Sequence, residues 1–323
     1  MFHGAAVYSS DDELLNIVVP FLQAGLEIGA PSMVVLSEQH SELVRSAMPD
    51  MSQLSFLRDP YLRPASVIKS VQQFLTGHIL EGARQVRILG EVPHPGVGMP
   101  WEWWARYEAT VNHAFDQSPV RVLCLYDQRI TPGDVLDDVT QTHPYLVTAD
   151  GHHIVNDRYR RPEAFLTQSR PTYPDPLEAA PPLIELRDPV PLAARQAVRE
   201  AGSTTRLPVA DVEGLVIAVC EALTNSICHG RPPVQLRLWA NPDRVVVTVT
   251  DCGAGPTDPF AGLLPAATGP PGGLGLWLAH QLCSLVTLET TKDAFTVRLV
   301  AGKPASCHLD AAKADAAARR PRG

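Results

Sequence analysis

The cysteines of this sequence are few, and they show none of the spacings that hold a structural metal ion. No two of them form a Cys-x-x-Cys pair, so their spacing predicts no zinc site. An intracellular chain keeps such residues as thiols, and several lie in apolar runs, so we interpret them as packing cysteines without reactivity. The six are Cys124, Cys220, Cys228, Cys252, Cys283 and Cys307.

Long apolar runs and an excess of positive charge are also missing. No run approaches the roughly 20 apolar residues needed to cross a bilayer, and the amino terminus lacks the charged-then-apolar pattern of a signal peptide. The formal net charge is -8 and the pI is near 5.7, which argues against a broad nucleic-acid surface. We therefore expect a cytoplasmic protein that contacts neither membrane nor nucleic acid directly.

With 323 residues the chain has room for two domains, and its first half alternates strand-like and helix-like patterns. Apolar runs at 2–8 and 120–126 are typical of buried strands, whereas the amphipathic stretch 11–26 is typical of a helix. Strands that alternate with helices predict a mostly parallel sheet covered on both faces. The predicted fold class is α/β.

Parallel sheets bind ligands at the carboxyl ends of their strands, and here two of those ends carry Glu91 and Asp127. No phosphate-binding loop of the form Gly-x-x-x-x-Gly-Lys-Ser/Thr follows any strand, so we expect no NTPase catalysis in this half. Glu91 and Asp127 are interpreted first as loop or turn residues, and a role in ligand binding is the alternative.

A set of short motifs over roughly the first 165 positions matches a known family. They are His3, Tyr8, Pro20-Phe21-Leu22, Gly25, Gly90-Glu91, Trp104, Tyr107-Glu108, Cys124-Leu-Tyr126-Asp127 and His143-Pro144. In these residues the chain resembles the MEDS (DcmR-like) sensory domain, a relative of the RecA fold that lacks the phosphate loop. The resemblance implies a three-layer α/β sensory domain over 1–165, and no catalytic residue is carried over from it.

Prolines crowd the stretch 166–190, which includes the run Ser-Arg-Pro-Thr-Tyr-Pro-Asp-Pro. Such a composition favours extended conformations and resists helix, so the stretch predicts a semi-rigid linker between two domains. Helix-like and strand-like patterns resume over 191–302, with a long helix predicted over 209–229. Residues 303–323 are rich in alanine and predict a frayed helix or a disordered tail.

The long helix carries the first of three motifs that indicate a nucleotide pocket. Glu221 and Asn225 are four residues apart, so their side chains project from one helix face. A carboxylate in that position can act as a general base, and an amide oxygen suits Mg²⁺. His229, one turn further along, is interpreted first as a residue that ends the helix, with a contact to phosphates as the alternative.

The other two motifs are rich in glycine. Asp251 ends a strand of alternating pattern and enters Gly253-x-Gly255, where a carboxylate can accept the exocyclic amine of adenine and the glycines let the backbone approach the ring. A further glycine group opens the next predicted helix and would present free backbone N–H groups to phosphates. That group is Gly272, Gly273 and Gly275. Each motif alone is common, but the three in this order predict a nucleotide site.

With these motifs, residues 190–300 resemble the GHKL (Bergerat) ATPase domain shared by Hsp90, DNA gyrase, sensor histidine kinases and anti-sigma factor kinases. The resemblance implies a two-layer α/β sandwich that binds ATP with Mg²⁺. The run Glu-Ala-Leu-Thr-Asn-Ser-x-x-His-Gly, which begins at Glu221, is most similar to the anti-sigma factor serine/threonine kinases. In that branch the position of Glu221 is the general base and that of Asn225 is the Mg²⁺ ligand.

The two resemblances together imply a regulator whose sensory domain biases an ATP domain. We expect it to hold a sigma factor, or to phosphorylate a Ser or Thr of an antagonist protein, and this branch commonly forms homodimers. One alternative is a non-catalytic switch that binds a partner in an ATP-dependent way, and another is a truncated histidine kinase-like protein. The predicted helix 191–201 contains no His, which argues against self-phosphorylation there.

Overall fold

The computed structural model of the protein describes residues 1–57, 64–95, 101–168, 170, 174–265 and 274–303. The chain divides into two compact units, Met1–Gln168 and Ser169–Gly323. Two predicted site residues, Gly272 and Gly273, lie outside the described residues, and so does the predicted tail beyond Lys303. Both units are α/β as predicted, but one sheet is mainly parallel and the other antiparallel.

A seven-stranded sheet forms the centre of the first unit. Its strands are β1 (Phe2–Tyr8), β2 (Ser32–Val35), β3 (Leu54–Phe56), β4 (Val86–Glu91), β5 (Val120–Asp127), β6 (Tyr145–Val147) and β7 (His153–Val155). Across the sheet their order is β3-β2-β4-β5-β1-β6-β7, and neighbouring strands are parallel except for β6 and β7. The mostly parallel sheet predicted from the sequence is confirmed.

Helices cover both faces of this sheet. They are α1 (Asp11–Leu26), α2 (Glu38–Ala47), α3 (Pro64–Leu80), α4 (Trp101–Ala114), α5 (Gly133–Thr142) and α6 (Pro162–Leu166). Leu123 and Leu125 of β5 pack in one core with α1 and α2, whereas Val122 and Cys124 face residues of α3 and α4. Successive strand residues point to opposite faces, so the result is the three-layer arrangement that the resemblance implied.

The second unit is a two-layer sandwich of helices on one face of an antiparallel sheet. Its strands are β8 (Ile184–Arg187), β9 (Gln235–Asn241), β10 (Arg244–Asp251), β11 (Leu285–Thr290) and β12 (Phe295–Gly302). Its helices are α7 (Pro191–Ser203), α8 (Val209–His229) and α9 (Gly275–Leu282). The strand order is β11-β12-β10-β9-β8. Val245, Val247 and Val249 of β10 share one core with residues of these helices, as their alternation predicts.

Helix α8 has the bounds predicted from the sequence. Among the described residues it is the one helix long and apolar enough, by length and composition, to cross a membrane, although 50% of its apolar window is buried inside the protein. Leu215, Val219 and Leu223 are fully buried and belong to the core beneath the sheet. The apolar composition of α8 is therefore explained by its place as the central helix of this unit.

The proline-rich segment differs from the linker that its composition predicts. Pro176–Ala179 form a 3-10 helix, and β8 adds an edge strand beside β9. Leu177 packs against Trp239, Val246 and Val300, on the sheet face that the helices leave open. Composition alone cannot show this, because proline is also well suited to the first turn of a helix and the packing partners lie far along the chain.

Two ion pairs fasten this segment to the sheet. Arg298 is 5% exposed and donates both to the carboxylate of Glu178 and to the Thr287 hydroxyl, the latter over 3.1 Å. Arg244 donates to Asp175 over 2.9 Å. A guanidinium that leaves water needs such partners, so Asp175 and Glu178 compensate the charges of the two arginines on this face of the sheet.

We predict that Glu178→Gln destabilises the second unit by about 2 kcal/mol, because the buried Arg298 would lose the carboxylate that compensates its charge. Urea unfolding of the full chain, followed by circular dichroism, measures the effect. The matched control is Glu185→Gln, which breaks an exposed pair with Arg237 and should cost less than about 0.5 kcal/mol. Equal effects of the two substitutions would contradict a buried, stabilising pair.

Candidate functional site

Two polar residues lie at the margin of the core formed by α8. Glu221 and Asn225 are one turn apart and half-buried, whereas their neighbours Ala222 and Leu223 are fully buried. The 3.6-residue period of the helix therefore keeps both polar side chains on one face, at the edge of the core. This is the face that the sequence predicted for a general base and a Mg²⁺ ligand.

The first residue of α9 lies directly against this pair. A Cβ atom built on Gly275 would be 2.7 Å from Oε2 of Glu221 and 3.3 Å from Nδ2 of Asn225. A side chain at this position would displace the end of the Glu221 side chain, so glycine allows the close approach that is seen here. The start of a helix carries free backbone N–H groups and the positive end of the helix dipole. That end of α9 is next to Glu221 and Asn225.

Asp251 occupies the carboxyl end of β10 and is 3% exposed. Its Oδ1 accepts the backbone N–H groups of Gly253 over 2.7 Å and of Arg231 over 3.3 Å. A Cβ atom on Gly230 would be 2.4 Å from Cγ of Asp251, and one on Gly253 would be 2.7 Å from its Oδ1. Both glycines therefore let the backbone pass directly over the carboxylate, and Oδ2 is left outside these two hydrogen bonds.

Glycine is needed at the second position of the motif, Gly255, for a different reason. Gly255 adopts a φ of 75°, in the left-handed region that residues with a side chain rarely occupy, and a Cβ atom there would be 2.5 Å from the Phe295 ring. The Asp-x-Gly-x-Gly sequence is thus a tight turn after β10, packed against β12. Arg231 and Phe295, which contribute to this turn, have no signal in the sequence that marks them as part of a site.

Helix α8 connects the two groups of predicted residues. Gly230, at its carboxyl end, touches Asp251, and Glu221, nine residues earlier in the chain, touches Gly275. At a rise of 1.5 Å per residue the two contacts are about 13 Å apart along the helix. One end of α8 thus carries a carboxylate lined by glycines, and the other carries a carboxylate, an amide and a helix start, which are groups able to bind anions and cations. His229, the last residue of α8, is exposed.

A separate cleft of about 720 Å³ opens in the first unit. It lies at the carboxyl ends of β1, β2, β4 and β5, where the sheet topology places ligand sites. The predicted strand-end residues Glu91 and Asp127 both line it. The other charged or titratable residues of its lining are Tyr8, Asp11, Glu38, His40, Arg45, His94 and Arg129.

Glu91 is held in this cleft by groups from β1 and from the start of α2. It accepts the Ser37 backbone N–H over 2.6 Å and the Tyr8 hydroxyl over 3.3 Å, and it is hydrogen-bonded to the ring of His40. Burial opposes the ionisation of Glu91, but His40 and Ser37 outweigh it, so the pKa of Glu91 is lowered. The same contact raises the pKa of His40. Glu91 therefore ties β1, α2 and β4 together, whereas Asp127 is engaged locally by Arg129.

Two family models match the chain. Residues 2–144 match MEDS, the MEthanogen/methylotroph, DcmR Sensory domain, and residues 188–301 match the Histidine kinase-like ATPase domain. Both resemblances drawn from the sequence motifs are therefore confirmed at the level of these families. Glu221, Asn225, Asp251 and Gly275 all lie within the second match. No curated protein matches the chain.

Similarity to solved structures is low. The RsbU and RsbW domains of Rv1364c from Mycobacterium tuberculosis share 19% identity over 39% of this chain and 33% of that chain, with a TM-score of 0.27. The mycobacterial sensor histidine kinase MprB shares 22% identity over 38% of this chain and 98% of that chain, with a TM-score of 0.25. The chain spans about a third of the first structure, and likenesses at this level carry no argument about function.

We predict that the His40 ring titrates above its ordinary pKa of about 6.5, because Glu91 stabilises the protonated ring. The pair then stabilises the first unit fully between about pH 4.5 and 6.5. This contribution is lost as the pH rises through the raised pKa of His40, and also as the pH falls through the lowered pKa of Glu91. Titration of the ring by NMR in the full chain measures the shift.

The variant that tests the cause of the shift is Glu91→Gln, in which the pKa of His40 should fall. Glu38→Gln is the matched control, because it removes an exposed carboxylate from the first turn of the same helix and should leave the titration unchanged. A pKa of His40 that is the same in Glu91→Gln and in the unmodified chain would refute the assignment.

Proposed function

We propose that this protein, which joins an N-terminal MEDS segment to a C-terminal histidine kinase-like ATPase domain, is an ATP-binding, kinase-like regulator. One observation carries the proposal. Along a single helix, α8, the second unit places a glycine-cradled carboxylate at one end and a carboxylate, an amide and a helix start at the other. This is the set of groups that an adenine base and a chain of phosphates require.

Each end of the site has a defined part in binding. Oδ2 of Asp251 would accept the exocyclic amine of adenine, while Gly253 and Gly255 would bind the base indirectly, by forming the tight turn that holds this carboxylate. The start of α9 at Gly275 would donate backbone N–H groups to the phosphates. The amide oxygen of Asn225 would hold Mg²⁺, which supplies positive charge that neutralises the phosphates.

Glu221 is the residue that we assign to the chemical step. A Ser or Thr hydroxyl of an antagonist protein would give its proton to the Glu221 carboxylate as its oxygen forms a bond to the γ-phosphorus of ATP. The bond between that phosphorus and the bridging oxygen breaks, and ADP leaves with the electron pair. Glu221 is half-buried beside the start of α9, so its carboxylate is close to the place where the phosphates would bind.

We assign the protein more finely to the anti-sigma factor type. It would act in the cytoplasm on an antagonist protein, on a sigma factor or on both, and it would form a homodimer as that type commonly does. The run from Glu221 to Gly230 supports it, because this run resembles that of the anti-sigma factor serine/threonine kinases. A non-catalytic, ATP-dependent switch would use the same binding groups and would differ only in the role of Glu221. Measurements of ATP binding and of ATP turnover therefore distinguish the two functions.

We predict that Asp251→Asn weakens the binding of ATP with Mg²⁺ by roughly 10- to 100-fold. The asparagine oxygen can still accept the N–H groups of Gly253 and Arg231, but its amide nitrogen cannot accept the amine of adenine. Calorimetry on the full chain measures the dissociation constant, with the exposed Glu200→Gln of α7 as a control for the change in charge. Unchanged affinity in Asp251→Asn would refute the base contact, and a lack of binding by the unmodified chain would refute the function.

We predict that Glu221→Gln retains ATP affinity and lowers ATP turnover by about 10²- to 10⁴-fold, because the amide cannot accept the hydroxyl proton. Release of phosphate and transfer of labelled γ-phosphate to protein are measured together. Glu213→Gln, an exposed glutamate of the same helix, is the matched control.

Three outcomes would overturn parts of this assignment. Full turnover in Glu221→Gln would remove Glu221 as the base. ATP binding without turnover in the unmodified chain would favour the non-catalytic switch. A phosphorylated product that is labile to acid but stable to alkali would indicate phosphohistidine and hence a histidine kinase-like protein.

A further inference from the structure

Four side chains that commonly bind metals meet in the interior of the first unit. They are His3 of β1, Glu108 of α4, Cys124 of β5 and His143, which follows α5. We call them the His/Glu/Cys cluster. One ligand atom from each lies within 4.8 Å of the others, and all four residues are buried. The nucleotide site proposed above lies in the second unit and uses none of them.

The hydrogen bond of His143 fixes which ring nitrogen faces the cluster. Nδ1 is 2.9 Å from the Val139 carbonyl, which can only accept, so Nδ1 carries the hydrogen. In the neutral ring Nε2 then has a free lone pair. This atom is 2.9 Å from Oε2 of Glu108, yet within the described part of the chain it is a buried nitrogen without a well-aligned hydrogen bond. A histidine anchored through its other nitrogen to a carbonyl is the usual arrangement for a metal ligand.

His3 is oriented in the same way. Its Nδ1 is 3.0 Å from Oδ1 of Asn112. The amide nitrogen of Asn112 donates to the carbonyls of Glu108 and Thr142, which assigns Oδ1 as the acceptor and places the hydrogen on Nδ1 of His3. In the neutral ring Nε2 of His3 therefore also carries a lone pair, and this atom is 3.1 Å from Oε2 of Glu108. Two nitrogen lone pairs are directed at one buried carboxylate oxygen.

Such a group of acceptors requires a cation, which is either a further proton on an imidazole or a metal ion. The Cys124 thiol can donate one hydrogen, to Glu108 or to Nε2 of His3, each over 3.4 Å. With both rings neutral, lone pairs of imidazole and carboxylate still face one another. A buried carboxylate without compensating donors is strongly disfavoured. A metal ion among the four atoms would accept an electron pair from each of them and remove the repulsion.

The spacing of the four atoms fits a tetrahedral site. Zinc bonds of about 2.0–2.3 Å place neighbouring ligand atoms about 3.3–3.7 Å apart. Here the Nε2 atoms of His3 and His143 are 3.1 Å and 2.9 Å from Oε2 of Glu108. Sγ of Cys124 is 3.4 Å from Nε2 of His3 and 3.4 Å from Oε2 of Glu108. Shifts of less than about half an ångström would bring these four distances to zinc geometry, and the other two distances in the cluster are within 4.8 Å.

We propose that the His/Glu/Cys cluster binds one divalent transition-metal ion, for which Zn²⁺ is the best match. Imidazole and thiolate are ligands of such ions, whereas Mg²⁺ and Ca²⁺ require oxygen ligands. Binding would replace the thiol hydrogen of Cys124, which leaves to solvent as a proton, and would form one bond to each of the four side chains. Since these come from β1, α4, β5 and the segment after α5, the ion would join separate parts of the first unit.

The test uses the full chain, stripped with a chelator and titrated with Co²⁺ or Zn²⁺ alone. We expect one ion per chain and, for Co²⁺, the intense visible spectrum of a tetrahedral site with one thiolate ligand. Cys124→Ser should lose the thiolate band, and His143→Gln should bind Zn²⁺ at least 100-fold more weakly. His78→Gln and Cys228→Ser are matched controls at exposed or half-buried positions and should change neither quantity.

X-ray absorption on the unmodified, zinc-loaded chain keeps the proposal testable if the buried variants fail to fold. We expect one sulfur at about 2.3 Å and three nitrogen or oxygen ligands at about 2.0–2.1 Å. A shell without sulfur, or with several sulfurs, would overturn the proposal. So would a thiolate band that disappears in Cys228→Ser but persists in Cys124→Ser. A metal-free chain that is folded and binds no added metal would show that the cluster holds protons alone. That result would also refute the proposed metal site.

Discussion

A carboxylate that leaves water must be given donors or a cation, and each unit of this protein contains one such carboxylate at a decisive position. In the second unit Asp251 receives backbone N–H groups from its own turn and from Arg231. In the first unit Glu108 receives side chains from distant parts of the chain. The donors of Asp251 come mainly from its own turn and form a glycine-lined surface beside it. The neighbours of Glu108 come from distant parts of the chain, and they place atoms that commonly bind metals in the interior.

This contrast explains how much of the molecule could be predicted from the sequence. The bounds of α8, the common face of Glu221 and Asn225 and the turn at Asp251 each depend on a few consecutive residues. Periodicity and glycine spacing carry that information directly. The parallel sheet of the first unit follows in the same way from alternating strands and helices. Helix α5 has only a weak signal of this kind, because Val135 and Val139 are its only buried apolar residues.

The features that the sequence did not reveal depend on partners far along the chain. Asp175 pairs with Arg244 and Glu178 with Arg298, over 69 and 120 positions, so the proline-rich segment resembles a linker until its partners are known. Cys124 likewise appears as an isolated packing residue. Its neighbour His3 is 121 positions away, and the parallel pairing of β1 with β5 is what brings the two together. Spacing rules for metal sites detect ligands close in sequence, and this cluster has none.

The start of α9 shows how closely the groups of the proposed nucleotide site depend on one another. A helix start favours an anion, and the anion beside it in this structure is Glu221, which Gly275 allows to approach. Phosphates bound there would bring further negative charge next to that carboxylate, so the site needs a cation as well as a base. In the proposed site Asn225, one turn along the same face of α8, would hold that cation. The proposed base, the proposed metal ligand and the helix start would therefore act as a set, and Gly275 leaves room for Glu221 beside them.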